Sequence, residues 1–191
     1  NPGNINIIDY VTMSTLGNSV DFGDLTVASR SGGQTACNST RGVIPLGYFT
    51  PGANGNRIDY ITMATTGNST DFGDDAAKRE EGYATGASST RGVLAGGYVS
   101  PDAITNISYL TFSSGGGVSD FGDLNLKTYA QAGASDNTRM LIAGGGGDGW
   151  QRTRNIKFLT IATTGSDSSF GELIRSGAGG GTPSAEGFRY F

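Results

Sequence analysis

Short apolar and β-branched runs alternate with polar, turn-forming residues along the whole chain. Residues 58–65 read as one strand, with Ile58, Tyr60, Ile61 and Thr62 supplying the β-branched and aromatic side chains that fit a pleated sheet. The run ends at Thr66-Gly67-Asn68-Ser69, whose Gly and Asn tolerate a positive φ and so predict a turn. A partner strand carries Asp71-Phe72-Gly73-Asp74. A third covers residues 91–98, where small residues permit close backbone approach. Between them, residues 78–89 are the least regular and predict loops with a weak outer strand. Neither alternating face of residues 58–63 is wholly polar, so the sheet should be covered on both sides.

The same pattern returns four times. Asp21-Phe22-Gly23-Asp24, Asp71-Phe72-Gly73-Asp74 and Asp120-Phe121-Gly122-Asp123 share one motif, which decays to Ser169-Phe170-Gly171-Glu172. The Phe positions are 50, 49 and 49 residues apart. Upstream, Ile8-Asp9-Tyr10, Ile58-Asp59-Tyr60, Ile107-Ser108-Tyr109 and Ile156-Lys157-Phe158 keep that interval. Downstream, Ser39-Thr40-Arg41-Gly42-Val43 matches Ser89-Thr90-Arg91-Gly92-Val93, and Asn137-Thr138-Arg139 is a looser copy. Three landmarks in one order and register define a tandem repeat. We read residues 1–191 as a single repeat domain, with units at about 4–51, 52–101, 102–149 and 150–191.

This repeat predicts an all-β fold. The favoured architecture is a four-bladed β-propeller, and the alternative is a β-solenoid or layered β repeat array. The first unit has no Arg-Gly-Val strand ahead of its Ile-Asp-Tyr run, and residues 187–191 fall where that strand is due. The ring reading expects them to pair with the first strand and remove two open edges. A solenoid is expected to carry atypical capping units at both ends, and only the fourth unit diverges noticeably.

Composition narrows the functions. Gly supplies 33 of 191 residues, far above the ~7% norm but without collagen's register, and charged residues are only 16%. That mixture suits short strands and tight turns. With 13 Lys and Arg against 17 Asp and Glu, the net charge is −4 and no basic run exists, which speaks against a nucleic-acid partner. No apolar stretch reaches the 18 residues of a membrane span, so no membrane insertion is expected. The chain has no His and one Cys, which excludes an internal disulfide and the usual zinc ligand sets. Cys37 is expected to be a small buried or half-buried residue. No metal and no cofactor is expected.

Candidate chemistry is sparse. Asp-Phe-Gly occurs around kinase magnesium sites, but the accompanying kinase motifs are missing and the tripeptide recurs in several units. Its structural reading puts Phe22, Phe72, Phe121 and Phe170 in equivalent core pockets, along with Tyr10, Tyr60, Tyr109 and Phe158. Asp21, Asp24, Asp71, Asp74, Asp120 and Asp123 are then expected to accept backbone N–H groups or to meet Arg41, Arg91 and Arg139. A repeated calcium site lacks the alternating acidic positions it needs. The Gly runs 144–147 and 177–181 precede no Lys-Ser/Thr and predict tight turns or close packing, not a phosphate loop. Asn38, Asn68 and Asn106 head Asn-x-Ser/Thr triplets, which matter only in a secreted eukaryotic chain. A glycosidase propeller would set Asp9, Asp59 and Tyr109 around its axis, with nothing beyond residue type to mark them. Sugar binding needs only an aromatic platform with amide and hydroxyl partners. Trp150, in the most divergent loop, is the first candidate, with Tyr48 and Tyr98 at the corresponding strand ends.

The run from Arg-Gly-Val through Ile-Asp-Tyr-Ile-Thr and Thr-Thr-Gly-Asn to Asp-Phe-Gly-Asp resembles a repeat of bacteriophage virion proteins, cyanophages especially, where it occurs in tail-fibre and other structural proteins. It is also loosely similar to Kelch-type propeller repeats. The resemblance covers nearly the whole chain and is best in the first two units; Ser108 and the fourth unit depart from it. It implies a noncatalytic structural or receptor-recognition role in a virion or outside the cell. Expected partners are other virion or appendage proteins and a host surface glycan or receptor. The alternatives are a purely architectural, self-assembling filament or coat subunit, with the chain as a homo-oligomer, and more remotely a propeller glycan hydrolase.

Overall fold

The computed structural model describes residues 3–32, 34–49, 55–147, 149, 151–177, 183–184 and 187–188. These are strands and loops, with no α-helix among the described residues. Glycine content and β-branched runs win over helix propensity throughout, as the sequence pattern requires.

Three antiparallel sheets repeat one plan. Strands β3 (Ala36–Cys37), β4 (Arg41–Phe49), β5 (Arg57–Thr62) and β6 (Thr70–Asp74) lie side by side in that order. The second sheet places β7 (Ala84–Ala87), β8 (Arg91–Ala95), β11 (Asn106–Thr111) and β12 (Ser119–Asp123) in the same succession. A small hairpin, β9 (Tyr98–Val99) with β10 (Asp102–Ala103), fills its β8–β11 connection. The third sheet is β13 (Ala132–Ser135), β14 (Arg139–Ala143), β15 (Asn155–Thr160) and β16 (Ser168–Glu172). Ahead of the first sheet, β1 (Ile5–Tyr10) pairs with the long β2 (Val20–Gly32), whose far end pairs with β4. Each sheet therefore joins the end of one sequence unit to the start of the next.

The sheets stack, and two cores form between them. Val43, Ile58, Phe72, Tyr83, Leu94, Leu110 and Phe112 are buried between the first and second sheets. Val93, Ala95, Ile107, Phe121, Met140, Ile142, Leu159 and Ile161 are buried between the second and third. Successive residues Val93 and Leu94 thus point into opposite cores, which accounts for a central strand with no polar face. Small residues let the layers approach closely: a Cβ on Gly133 of β13 would strike the Thr85 backbone of β7.

None of these sheets closes on itself. Residues 187–191 were expected beside the first strand. Instead β18 (Gly187–Phe188) pairs with β17 (Pro183–Ser184), and the partner of β1 is β2. A hairpin over so short a connection costs far less loop-closure entropy than a pairing across the whole chain. Residues 189–191 lie outside the described residues.

Candidate functional site

The recurring motif is the seam between layers. In each junction the Phe carbonyl of one layer accepts the amide of a Gly in the next layer's turn. Gly67 N–H donates to Phe22, Gly116 N–H to Phe72 and Gly165 N–H to Phe121, each at 2.7 Å. The motif Gly lies at φ +147°, +128° and +143° at positions 23, 73 and 122. A Cβ there would collide with the backbone of Gly67, Gly117 and Gly165 respectively, so the motif needs Gly on both counts.

Its aromatic residues pair edge to face. Tyr10–Phe22, Tyr60–Phe72, Tyr109–Phe121 and Phe158–Phe170 have ring centroids 6.0, 6.1, 6.1 and 6.4 Å apart. Phe72 and Phe121 are buried and Phe22 is half-buried, but Phe170, expected in the core, is 55% exposed on β16, a strand exposed at every position. Tyr60, Tyr109 and Phe158 are half-buried, and Tyr10 is exposed. Arg41, Arg91 and Arg139 lie over Tyr60, Tyr109 and Phe158, at 4.6, 4.6 and 5.1 Å from the ring centroids. Arg41 donates to the Phe112 carbonyl and Arg91 to the Ala162 carbonyl (2.9 Å), in each case across to the next layer. Ring faces and carbonyls, not the motif carboxylates, are therefore what these Arg side chains meet.

Those carboxylates serve local turns. Asp21 and Asp71 accept the Gly23 and Gly73 amides at 3.1 and 2.8 Å, and Asp71 also faces Arg57 at 3.6 Å. Asp123 accepts the Thr105 hydroxyl at 2.9 Å. Asp24 and Asp74 contribute their carbonyls to Ser69 and Val118 of the next layer, and Asp120 is exposed. Cys37, expected buried or half-buried, is exposed, since Ala36 takes the inward position on β3.

A polar node completes each junction, and its chemistry changes from layer to layer. Asp59 is fully buried, accepting the Thr26 amide at 2.8 Å, the Thr26 hydroxyl at 2.7 Å and the Ser69 hydroxyl at 2.6 Å. One layer on, Ser108 replaces the Asp, and the buried Arg79–Asp75 ion pair enters, Arg79 also donating to the Gly96 and Asn106 carbonyls at 2.7 Å. In the third junction the position is Lys157, with Asp167 accepting the Asn125 amide. Lys157 is 6% exposed and its Nζ has no hydrogen-bond partner among the described residues. Burial holds this amine below the usual lysine range, and Asp167 opposes the shift. The three residues weighed for a glycosidase sit apart, Asp59 and Tyr109 in successive sheets and the exposed Asp9 on β1, paired with Ser19 at 3.3 Å.

The repeat is broken where the surface opens. Tyr98 of β9 and Tyr129, which follows the second layer's motif strand, stack at 5.6 Å with their planes tilted by 54°. Tyr129 bridges to Gly146, and a Cβ on Gly146 would press on its ring at 3.0 Å, so this glycine lets the ring lie on the backbone. Burial raises the Tyr129 phenol, Tyr98 and Glu81 add to that, and Arg152 opposes it. Beside the pair lies a cleft of about 630 Å³, lined by Thr105, Asn125, Leu126, Lys127, Thr128, Gly147, Gln151, Arg152 and Thr153. Gly147 also lines the smaller hollow under Tyr98 and Tyr129. Lys127 and Arg152 make no ion pair with any described residue. Trp150 lies outside the described residues. Tyr48 is half-buried on β4, where its carbonyl accepts the Ser29 hydroxyl at 3.2 Å. Another groove, of about 320 Å³, runs between the Asn38–Arg41 turn and Ser89, Thr90 and Phe112.

Sequence reasoning singled out Tyr98 and the divergent loop around Trp150, which holds Gln151 and Arg152, but passed over Tyr129 and Lys127. The available signal was divergence: Tyr129 takes the bridging position that Glu81 holds one layer earlier. No group of three or more His, Cys, Asp or Glu suited to a metal ion occurs among the described residues. No protein-family model and no curated protein matches the chain.

Proposed function

We propose that this chain is a noncatalytic recognition module of a virion or other extracellular appendage, binding surface glycan at the cleft beside Tyr98 and Tyr129. The observation that carries the reading is the coincidence of three features at one place: a paired aromatic surface, an open cleft with amide, hydroxyl and cationic lining, and departure from the repeat. Pyranose rings stack on the accessible part of aromatic rings, here the half-buried Tyr98 and Tyr129, while their hydroxyls meet groups of the adjoining cleft such as Gln151, Thr153 and Arg152. The virion setting rests on the resemblance of the repeat alone. Titration calorimetry against a panel of soluble bacterial polysaccharides tests the site. At least one should bind, and Tyr98→Ala and Tyr129→Ala should each weaken it by tenfold or more. Polysaccharide cleavage that disappears when a single carboxylate is removed would replace this reading with a hydrolase.

For the architecture we propose a layered array of like units. Support comes from the three junctions, which all run between consecutive layers. A four-bladed ring of the same units would need the turn at Gly17 to meet Phe170, and Gly187–Phe188 to exchange Pro183–Ser184 for β1. In the described arrangement a Cβ built on Gly17 or Gly171 has nothing within 4 Å.

A further inference from the structure

We infer that two copies of this chain join head to tail, the β16 face of one seating on the β1–β2 turn of the next through the same contacts that join the layers inside the chain. This goes beyond the glycan reading and does not depend on it. The internal junction is seen three times, so both halves of it are known in detail. One half is a motif strand offering the Phe carbonyl and a Gly stripped of side chain. The other is a turn offering a Gly amide, followed two residues later by a second donor: Ser69 N–H gives to Asp24 at 2.8 Å, and Val118 N–H to Asp74 at 3.1 Å.

Among the described residues each half also occurs once without its complement. On β16 the motif is Phe170-Gly171-Glu172, with Gly171 at φ +158° and nothing within 4 Å of a Cβ placed there. Phe170 is 55% exposed and Ile174 93% exposed, whereas Phe72 and Phe121, with a following layer over them, are 2% and 3% exposed. Arg139 lies over Phe158 as its equivalents lie over their rings, but no carbonyl of a following layer accepts from it among the described residues. On the other side, the turn between β1 and β2 holds Gly17, Asn18 and Ser19, the counterparts of Gly67, Asn68 and Ser69. The Ser19 hydroxyl already donates to Asp9, the counterpart of the buried Asp59. Met13 and Leu16 beside it are fully exposed.

Superposing the internal junction on these two faces pairs Gly17 N–H with the Phe170 carbonyl and Ser19 N–H with the Glu172 carbonyl. It sets the Asn18 side-chain oxygen on the Glu172 amide, as Asn68 meets Asp24 at 3.0 Å. The Ile174 amide meets the Asp9 carboxylate, as Thr26 meets Asp59 at 2.8 Å. Such a contact is heterologous: its two sides differ, so each addition regenerates the free faces and the product is a filament or a ring of several chains.

Blocking one side at a time tests this. Gly17→Pro with Ser19→Pro removes both donors of the turn, and Phe170→Asp puts a charge where the next turn would close; all three side chains or loops are exposed, away from both cores. In sedimentation velocity over a wide concentration range, the unaltered chain should lengthen progressively beyond a dimer. Each blocked variant alone should stay monomeric, and an equimolar mixture of the two should form a dimer that grows no further, since one good turn then meets one good strand. That recovery on mixing also proves both variants folded. An unaltered chain that is monomeric throughout, one that stops at a symmetric dimer, or blocked variants that associate as well as the original would each overturn the inference. Glycan binding by a monomer would remain possible in all three cases, so the two readings fail separately.

Discussion

Gly122 and Gly171 occupy the same motif position at nearly the same φ, yet only Gly122 has another backbone lying against it. Ala at either site carries the strain of a left-handed conformation, about 1–3 kcal/mol. At Gly122 it also breaks the Phe121–Gly165 contact, so Gly122→Ala should cost at least about 1 kcal/mol more than Gly171→Ala in chemical denaturation. Equal losses would show that conformation alone, and not the junction, selects glycine. The motif glycines were legible in the sequence, but their partner was not, because it lies more than forty residues away in a turn whose glycine looked like an ordinary turn residue. Lys157 was legible only as a departure from the repeat. Its amine is buried and its pKa lowered, so between that value and the ordinary ~10.4 the unfolded chain holds a proton the folded chain lacks. Stability should therefore rise with pH across that window, and the ammonium should be a liability below it. Lys157→Met should raise the stability at neutral pH by roughly 1–3 kcal/mol and flatten the alkaline rise. A loss at neutral pH would mean the ammonium has a partner.

At the scale of elements, the strand positions were legible because β-branched runs and Gly-Asn turns recur at a fixed interval, and tertiary contacts reinforce them. How strands distribute among sheets was less so. Sequence units begin at Ile-Asp-Tyr, whereas each sheet begins two strands earlier, since β4 pairs with β5 and β8 with β11 across the unit boundary. The polar nodes were also hidden. Arg79 falls in the segment that looked least regular and Asp75 just ahead of it, yet their side chains are 1% and 5% exposed and bind each other. Removing one partner of such a pair leaves a buried charge, which typically costs about 3–5 kcal/mol. Asp75→Ala should show that loss, and Arg79→Met with Asp75→Ala together should cost less than the single change. If the single variant loses under about 1 kcal/mol, the pair is solvated and the second junction rests on its apolar core. The cleft was legible in part: the divergent loop that holds Trp150 also supplies Gln151 and Arg152, whereas Tyr129 and Lys127 carry no mark in the sequence beyond their failure to recur.

On the scale of the whole molecule, layers whose seams run mainly between neighbours should not be uniformly stable, although the Gln34 side chain reaches past the second sheet, its oxygen accepting both the Thr85 and the Gly133 amides at 3.3 and 3.1 Å. The second sheet has a core on each side, whereas β1 is largely exposed and β16 is exposed throughout. Amide exchange should therefore be slowest in β8 and β11 and fastest toward β1 and β16, a gradient that a sealed ring would not impose. The all-β class was readable from the sequence. Closure was not, since both a ring and an array use the same units and differ only in what meets the first turn and the last motif strand. The most direct test compares four equivalent amides by hydrogen exchange in dilute, monomeric protein. Gly67, Gly116 and Gly165 should be protected alike, each held by a Phe carbonyl, while the Gly17 amide exchanges at the rate of an open turn. Protection of Gly17 matching the other three would place Phe170 against it within one chain and contradict the open array.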